Sequence, residues 1–328
     1  MISQNTKLLL TYRNIKGVGK KLLNEVITDS EDTSLTIEHC FESKKPKTVS
    51  FSSEDMKLAE DKAITDINIA LSNGHKIISR LDSEYPESLQ CSDNPPPILF
   101  CAGDISLLKR NIITIIGTRE PTSHGKSIAQ RITHWFTEDG WVVASGLAKG
   151  VDTLAHEACI NGKGKTIAVL AHGLEKVYPA KNKALAREIV KTGGLLITEY
   201  SYNSYTARSN FVERDTIQAA LAKGVVLIQS DLTGGSLHAS RAAINLERYL
   251  IVAGQSKTDI SACEEKSKAN LLLFDGSEFD KCKLLKVNSI PEGKLILLRD
   301  KSYLVQTSET LRSLSFTKGS RNMKPQLF

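Results

Sequence analysis

The feature that most constrains the fold is a sixfold alternation of short apolar segments with helical segments between residues 112 and 253. The apolar segments are hydrophobic almost throughout rather than at every second residue, which is typical of strands buried on both faces of a parallel sheet. They are Ile112–Gly117, Trp141–Ser145, Thr166–Ala171, Leu195–Thr198, Val225–Gln229 and Tyr249–Ala253. The alternation predicts an α/β fold, a Rossmann-like, mostly parallel sheet with helices on both faces.

The segment between the first two predicted strands illustrates the helical pattern. Counted from Ile128, apolar residues recur at i+4, i+7 and i+8, which places them on one helix face. Ser123 is the predicted N-cap, and Gly140 is the predicted stop.

The flanking regions predict two smaller units around this sheet. Residues 1–76 are predicted to form a small helical (helix–hairpin–helix or SAM-like) domain, 77–280 the Rossmann-like domain, and 281–328 a short C-terminal appendage with no clear winged helix. The run from Gly17 to Gly19 has the glycine spacing of a helix–hairpin–helix turn, in which a helix N-terminus approaches a phosphate. A plain turn between two packed helices fits the same residues equally well.

Four further segments carry weaker predictions. The charged stretch 41–62 is predicted to be surface or loosely ordered, and Pro95–Pro97 is predicted to lead into an edge strand at Ile98–Phe100. Leu271–Phe274 is a candidate last strand, and Lys294–Gln306 resembles a pair of short strands. The basic tail from Lys318 is expected to fray.

Composition excludes several classes of protein. The 328 residues carry 43 basic and 37 acidic side chains, a net charge of +6 that is only a weak indication of a polyanionic partner. The six cysteines form no Cys-x-x-Cys pair, so we expect buried free thiols rather than a zinc site or a disulfide scaffold. No apolar run is long enough for a membrane span, and Met1–Asn5 lacks a secretory pattern, so a cytoplasmic protein is expected.

Four predicted strand ends carry glycine or small hydroxyl residues, and ligands of open α/β sheets bind at that edge. Any one of these loops alone would be only a tight turn. Four at the same sheet edge favour a ligand that bears phosphate, bound by backbone N–H groups and helix N-termini. The loops are 117–119, 145–152, 171–174 and 233–237.

Nucleotide hydrolysis and nicotinamide chemistry are not supported. Gly125-Lys126-Ser127 resembles the end of a P-loop, but Glu120 stands where that motif requires glycine. Gly164-Lys165-Thr166 precedes a strand instead of following one, and no Gly-x-Gly-x-x-Gly follows the first strand. His172 and His238 lie in the strand-end loops without a recognisable nucleophile and carboxylate, so they do not predict catalysis.

Among the basic residues of these loops, Arg119 is the strongest candidate for a phosphate contact. It follows Gly117 and Thr118 at the end of the first strand, where a guanidinium can bind a phosphate in bidentate fashion. Acidic residues share the loops, so a uniformly positive groove is not expected.

Several motifs occur together in an order that resembles the DNA-processing protein A (DprA/Smf) family. The similarity covers residues 78–276 well and residues 8–27 more weakly. The motifs are Gly117-Thr118-Arg119, Ser145-Gly146-Leu147-Ala148-Lys149-Gly150-Val151-Asp152, Val177-Tyr178-Pro179, Thr198-Glu199-Tyr200, Asn210-Phe211 and Gly235-Ser236-Leu237.

The resemblance implies a protein without enzymatic activity that binds single-stranded DNA and helps to load a RecA-type recombinase. It also implies a homodimer that needs no cofactor. By motif, the residues expected to contact DNA phosphates or line the binding pocket are Gly117, Thr118, Arg119, Ser145, Gly146, Lys149, Gly150, Asp152, Gly173, Asn210, Phe211, Arg214, Gly235 and Ser236.

The sequence departs from the family in one DNA-binding segment. The family run Phe-Pro-x-Arg-Asn-Arg is replaced at 211–216, where Phe211 and Arg214 remain but Glu213 and Asp215 add two acids. We therefore expect weaker DNA binding from this segment.

Two alternative functions stay open. The first is an antitoxin or accessory subunit of a phage-defence or toxin pair, which would act through a cognate protein partner. The second is a Rossmann-like sensor or glycosidase for nucleotide-derived ligands. The run 233–240 lacks the catalytic glutamate of such glycosidases, which disfavours hydrolysis.

Overall fold

Nine strands form one sheet in a computed structural model of the chain, which describes residues 2–316. The predicted frayed tail from Lys318 lies outside the described residues. In chain order the strands are β1 (Lys76–Ser79), β2 (Ile98–Gly103), β3 (Ile112–Ile116), β4 (Val142–Ser145), β5 (Thr166–Val169), β6 (Leu195–Thr198), β7 (Gly224–Leu227), β8 (Tyr249–Ala253) and β9 (Leu295–Leu298).

The sheet order is β1-β2-β6-β5-β4-β3-β7-β8-β9. All neighbouring pairs from β6 to β9 are parallel, whereas β2 is antiparallel to both β1 and β6. From β3 the chain winds outward through β4, β5 and β6, and then returns to the other side of β3 as β7. The direction of winding therefore reverses at β3, and this topological switch point is where such sheets bind ligands.

Fourteen α-helices of the described residues surround this sheet. They are α1 (Gln4–Arg13), α2 (Lys20–Thr33), α3 (Ile37–Lys44), α4 (Ser53–Ser72), α5 (Glu87–Gln90), α6 (Ser123–Glu138), α7 (Val151–Asn161), α8 (Lys183–Lys191), α9 (Arg208–Leu221), α10 (Ser236–Asn245), α11 (Lys257–Ser261), α12 (Lys268–Asp275), α13 (Glu278–Leu285) and α14 (Tyr303–Arg312).

Successive residues of β3 face opposite layers of the core. Ile113 and Ile115 belong to the hydrophobic cluster that includes α6 and α7, whereas Ile116 belongs to the cluster that includes α10. Both faces of the central strands are thus covered, which explains why the strand segments are apolar throughout. The predicted fold class and all six predicted strands are confirmed, with ends that differ by no more than two residues.

The N-terminal helices share a core with the first two strands. Tyr12 stacks on Phe41 with ring centroids 3.9 Å apart, and the same cluster includes Ile77 of β1 and Phe100 of β2. Most residues of 41–62 are exposed, as the first of its two predicted alternatives states, but the stretch is not loosely ordered, because α3 and α4 occupy much of it. A capping box joins Ser52 and Asp55 at the start of α4, and buried alanines such as Ala59 pack its inner face.

Three predictions on the flanks of the sheet were wrong, the first of them only in part. The predicted strand at Ile98–Phe100 is confirmed as part of β2, but it is not an edge strand, because β1 pairs with its outer side. The segment Leu271–Phe274 belongs to α12, since Ala269 and Leu273 of one helical face pack into the core. Residues 294–306 contain the single strand β9 and the start of α14 rather than two strands.

Two local details also differ from prediction. Thr122 rather than Ser123 caps α6, with its hydroxyl accepting a hydrogen bond from the Gly125 amide. Cys40, Cys101 and Cys159 are buried free thiols, but Cys263 is exposed.

The predicted domain boundaries at residues 76/77 and 280/281 stay predictions. Residue 76 begins β1, and residue 280 lies inside α13. The strand β9, from the predicted appendage, pairs with β8 of the main sheet. None of the helices within residues 2–316 is both long enough and apolar enough to cross a bilayer.

Candidate nucleic-acid interface

A cavity of about 540 Å³, hereafter the switch cavity, lies at the carboxyl ends of β3 and β7. Its walls come from the loop after β3, the loop before α10, and one side of α9. It is lined by Ile116, Gly117, Thr118, Arg119, Glu120, Ala148, Asp152, Phe211, Val212, Arg214, Asp215, Gln218, Asp231, Gly234, Gly235, Ser236, His238, Ala239 and Lys266. This is the edge at which the sequence predicted a phosphate-bearing ligand.

A smaller cavity of about 260 Å³, hereafter the aromatic cavity, adjoins it and shares Arg119, Glu120, Ala148, Phe211 and Arg214. Four residues line the aromatic cavity but not the switch cavity: Gly146, Lys149, Tyr178 and Pro179.

The loop after β3 is held by backbone hydrogen bonds to its two neighbours. The Thr118 amide donates to the Gln229 carbonyl at 2.7 Å, and the Val151 amide donates to the Thr118 carbonyl at 3.2 Å. Gly150 has φ +76°, and a Cβ there would lie 2.5 Å from the Thr118 oxygen, so only glycine fits this turn. The close packing presents Arg119 at the rim.

Arg119 and Lys149 are both exposed. Neither side chain forms an ion pair or a hydrogen bond with residues 2–316, although both line the aromatic cavity. Two unpaired cations at the rim of one cavity can bind a phosphate without first breaking an internal contact.

Asp152 and Arg214 hold the loop that leads to Lys149. The Asp152 carboxylate accepts hydrogen bonds from the amides of Gly146 (3.1 Å) and Ala148 (3.2 Å). The Arg214 guanidinium donates to the carbonyls of Gly146 and Val169. Burial raises the pKa of Asp152, and the nearby Arg214 opposes that shift. A side chain on Gly146 would collide with the guanidinium, which explains glycine there.

Arg214 is therefore committed to the protein interior. It is only 5% exposed, and its Nε also donates to Asp215 at 3.0 Å. Its predicted contact with DNA stays a prediction, and the described geometry favours a positioning role.

The two acids that distinguish this segment have different surroundings. Burial is the main cause that raises the pKa of Asp215 to about 6, while the Arg214 charge opposes it. Glu213 is exposed and accepts a hydrogen bond from the Tyr200 hydroxyl at 2.8 Å.

The start of α10 faces the switch cavity, with its Leu237 and His238 amides donating to the Gly234 and Gly235 carbonyls. Gly235, the N-cap, has no side-chain cap, and a Cβ there would meet nothing within 4 Å. The neighbouring Asp231 is neutralised by Lys266, whose ammonium lies 3.1 Å from its carboxylate. An anion can therefore approach this end of the helix.

Not every predicted site residue reaches these cavities. Those that do are Gly117, Thr118, Arg119, Gly146, Lys149, Asp152, Phe211, Arg214, Gly235 and Ser236. The remaining four line neither cavity and lie in the surrounding loops; they are Ser145, Gly150, Gly173 and Asn210. The Ser145 hydroxyl, for example, donates to the Ile115 carbonyl at 2.7 Å, and the side-chain amide of Asn210 donates to the Ala171 carbonyl at 3.2 Å.

Sequence reasoning missed several lining residues. Tyr178 was named only as part of a family motif and was not predicted to line the site. No sequence pattern indicated Gln218, because it lies in the interior of a helix. Lys266 could not be assigned, since it follows β8 by thirteen residues and reaches the cavity only through the tertiary fold.

The histidines have structural surroundings. The His156 ring is fully buried, its Nδ1 lies 2.7 Å from the Thr166 hydroxyl, and burial lowers its pKa to about 3. His172 bridges its own loop, with Nδ1 2.9 Å from the Gly173 carbonyl and Nε2 accepting from the Tyr178 amide at 3.1 Å. Within residues 2–316, no cluster of His, Cys, Asp and Glu could hold a metal ion.

Comparison of the sequence with a family model and with curated proteins indicates one family. Residues 76–274 match the model of the family described as DNA recombination-mediator protein A. A stretch of 177 residues is 36% identical to the DNA processing protein DprA of Bacillus subtilis. The stretch covers 54% of this chain and 59% of that protein. The matched part thus spans less than two thirds of this relative.

Solved structures extend the likeness in fold. DNA processing protein A of Streptococcus pneumoniae superposes with a TM-score of 0.69 at 24% identity, over 93% of this chain and 98% of that chain. DNA processing protein A of Helicobacter pylori, a structure described for its single-stranded DNA binding mode, has a TM-score of 0.58 at 25% identity. That match covers 72% of this chain and 96% of that chain.

Proposed function

The chain belongs to the DNA recombination-mediator protein A family, and on that premise we propose that it binds single-stranded DNA and helps to load a RecA-type recombinase during DNA uptake or recombination. The observation that carries the proposal is the pair of unpaired cations, Arg119 and Lys149, at the rim of cavities built from glycine loops. The proposal includes a homodimer, a cytoplasmic location and no chemical step of its own.

The chemistry of the site suits phosphates rather than base edges. Cationic side chains and a helix N-terminus contact the backbone of any sequence, whereas base readout needs an element that enters a groove. The candidate contacts lie in recessed cavities instead of on a protruding helix, so a flexible single strand fits better than a rigid duplex. We therefore expect little sequence preference.

The test is a titration of labelled single-stranded and duplex oligonucleotides at several salt concentrations, followed by fluorescence anisotropy. The single strand should bind more tightly, and the logarithm of its affinity should fall linearly with the logarithm of salt, with a slope of about −0.7 per phosphate contact. Equal affinity for duplex, or binding that does not respond to salt, would contradict the proposal.

Arg119→Ala is the most direct variant. Loss of one phosphate contact should flatten the salt slope by about 0.7 and weaken binding by about 1–3 kcal/mol. Lys109→Ala is the matched control, because Lys109 is exposed and lies before β3, at the opposite end of that strand. The carboxyl edge of the sheet, which holds both cavities, is hereafter the strand-end edge. If both variants bind like the parent protein, the strand-end edge is not the DNA site.

A second candidate function is that of a DprA-like antitoxin or defence subunit that acts through a protein partner. The observation in its favour is the pair of acids on α9, which places negative charge where the family has a basic run. Purification from the native cell with and without nuclease separates the two: a partner other than a RecA-type recombinase that stays bound after nuclease treatment supports the antitoxin or defence role, and its absence contradicts that role.

A further inference from the structure

We propose that Tyr178 is a base-stacking residue, on which one unpaired nucleobase packs while adjacent phosphates contact Arg119 and Lys149. The inference rests on the proposed function and deepens it, because it names the group that distinguishes single-stranded from duplex DNA at this site.

The first argument is exposure at the right place. Tyr178 is 57% exposed, although a tyrosine ring usually contributes its apolar surface to a core. It lines the aromatic cavity together with Pro179, Phe211 and the two unpaired cations. At about 260 Å³ this cavity suits a single base-sized group, since pockets for larger ligands begin near roughly 300 Å³.

The second argument is that the ring has little role in the fold. Its hydroxyl forms no hydrogen bond with residues 2–316, whereas the hydroxyls of Tyr85, Tyr200 and Tyr202 all lie within hydrogen-bond distance of a polar atom. The ring of Tyr178 contacts Phe211 in a T-shaped arrangement, with centroids 5.7 Å apart and an interplanar angle of 69°. More than half of the surface of Tyr178 therefore stays exposed to solvent and can contact a base.

The third argument is preorganisation. The Tyr178 amide donates to His172 Nε2 at 3.1 Å, while His172 Nδ1 is engaged by the Gly173 carbonyl. His172 is itself buried, so the loop holds Tyr178 at the cavity without a ligand. A ring that is already positioned loses little conformational freedom when a base stacks on it.

Stacking also accounts for discrimination against duplex. Every base has an aromatic face, so an aromatic side chain accepts any unpaired base, but in a duplex those faces are covered by neighbouring base pairs. Phosphate contacts alone do not make this distinction.

The experiment combines two proteins with two ligands of equal charge. Parent and Tyr178→Ala are titrated with an oligothymidylate and with an oligonucleotide of the same length whose central residues are abasic. The variant should lose about 5- to 100-fold in affinity for the oligothymidylate and less than twofold for the abasic strand. Tyr178→Phe should retain the affinity of the parent, since the stacking surface is kept.

Tyr205→Ala is the matched control, because Tyr205 is 87% exposed and lines neither cavity. It should bind both ligands like the parent. An equal loss for both ligands in Tyr178→Ala, or no loss at all, would overturn the inference.

Failure of the inference is distinguishable from failure of the proposed function. If the parent binds the oligothymidylate and Arg119→Ala weakens it, but Tyr178→Ala does not, only the stacking role is wrong. If the parent binds neither strand, both proposals fail together.

Discussion

The strand-end edge and the N-terminal hairpin both place basic residues beside glycine turns, yet they use them in opposite ways. At the edge, Arg119 and Lys149 are exposed and unpaired among the described residues. At the hairpin, the Lys20 ammonium lies 2.9 Å from the carboxylate of Glu199, whose side chain is only 8% exposed. A local pattern of glycine and lysine therefore indicates a phosphate site only when the cation has no partner in the fold.

The hairpin also shows what its glycines do. Gly19 is the N-cap of α2 and has an extended backbone, and Val18 is buried in the cluster that joins the helices to the first strands. The ion pair then ties α2 to the end of β6. This arrangement favours the turn between packed helices over the DNA-binding interpretation of the same residues.

The largest effect is expected from a variant that removes the hydrogen bonds supporting the loops of the strand-end edge. Arg214→Ala removes the guanidinium that contacts the Gly146 carbonyl and Asp215, and it leaves buried carboxylates unpaired. We expect a loss of about 3–5 kcal/mol in the free energy of unfolding, measured by urea denaturation. Arg208→Ala, on an exposed position of the same helix, should change that free energy by less than about 0.5 kcal/mol. A stable Arg214→Ala variant that loses only DNA affinity would instead assign Arg214 to direct contact.

The second prediction concerns the hairpin. Lys20→Ala leaves the nearly buried Glu199 carboxylate without its partner, so the free energy of unfolding should fall by about 1–3 kcal/mol. The slope of DNA affinity against salt should not change. Lys21→Ala is the control, since that side chain is 92% exposed. A flatter salt slope in either variant would place DNA on the hairpin and remove the contrast between the two regions.

The third prediction sharpens the role of the acids on α9. Changing Glu213 to Arg and Asp215 to Asn together makes the local charge more positive by three units, and the second change restores the family's asparagine at position 215. Binding of single-stranded DNA should tighten at low salt by about 1–2 kcal/mol, with a salt slope steeper by about 0.7. Unchanged affinity in an anisotropy titration would mean that this face of α9 is turned away from the DNA.

The smallest expected effect is a pH dependence of DNA affinity. The pKa of Asp215 is raised to about 6 in the folded protein, so its carboxyl is ionised at pH 7.5 and mostly protonated at pH 5.5. Protonation removes a negative charge from the switch cavity, so affinity should rise by a few fold between those pH values. Asp215→Asn should abolish most of this rise. Burial lowers the pKa of His238, which also lines the cavity, so its protonation contributes only toward the acidic end.

The same pKa shift has a consequence for stability. A carboxyl whose pKa is raised on folding favours the folded state while protonated, so its contribution is complete below its unfolded value and is lost as the pH rises through about 6. Urea denaturation of the parent protein and of Asp215→Asn at pH 5.5 and 7.5 measures this difference.

The sequence predicted best where local pattern and tertiary environment agree. The six central strands are short apolar runs buried on both faces, so their hydrophobicity alone located them. Leu271–Phe274 has the same local character, but it packs as one face of α12 against β8, and nothing within four residues distinguishes these outcomes. The strand-end glycines Gly117 and Gly146 also lie where the structure has no room for a Cβ, which would collide with the Val151 side chain and the Arg214 guanidinium, respectively.

By itself, the sequence determined the α/β alternation, the loops that reach the carboxyl edge of the sheet, and the motifs of the family. These follow from the periodicity of side chains along the chain and from residue types at fixed spacing. Only the tertiary structure decided which basic residues are free. Arg119, Lys20 and Arg214 all stand near glycine or strand-end motifs, but the last two have partners distant along the chain. Glu199, 179 residues from Lys20, and the Gly146 carbonyl, 68 residues from Arg214, reach them only when the sheet is assembled.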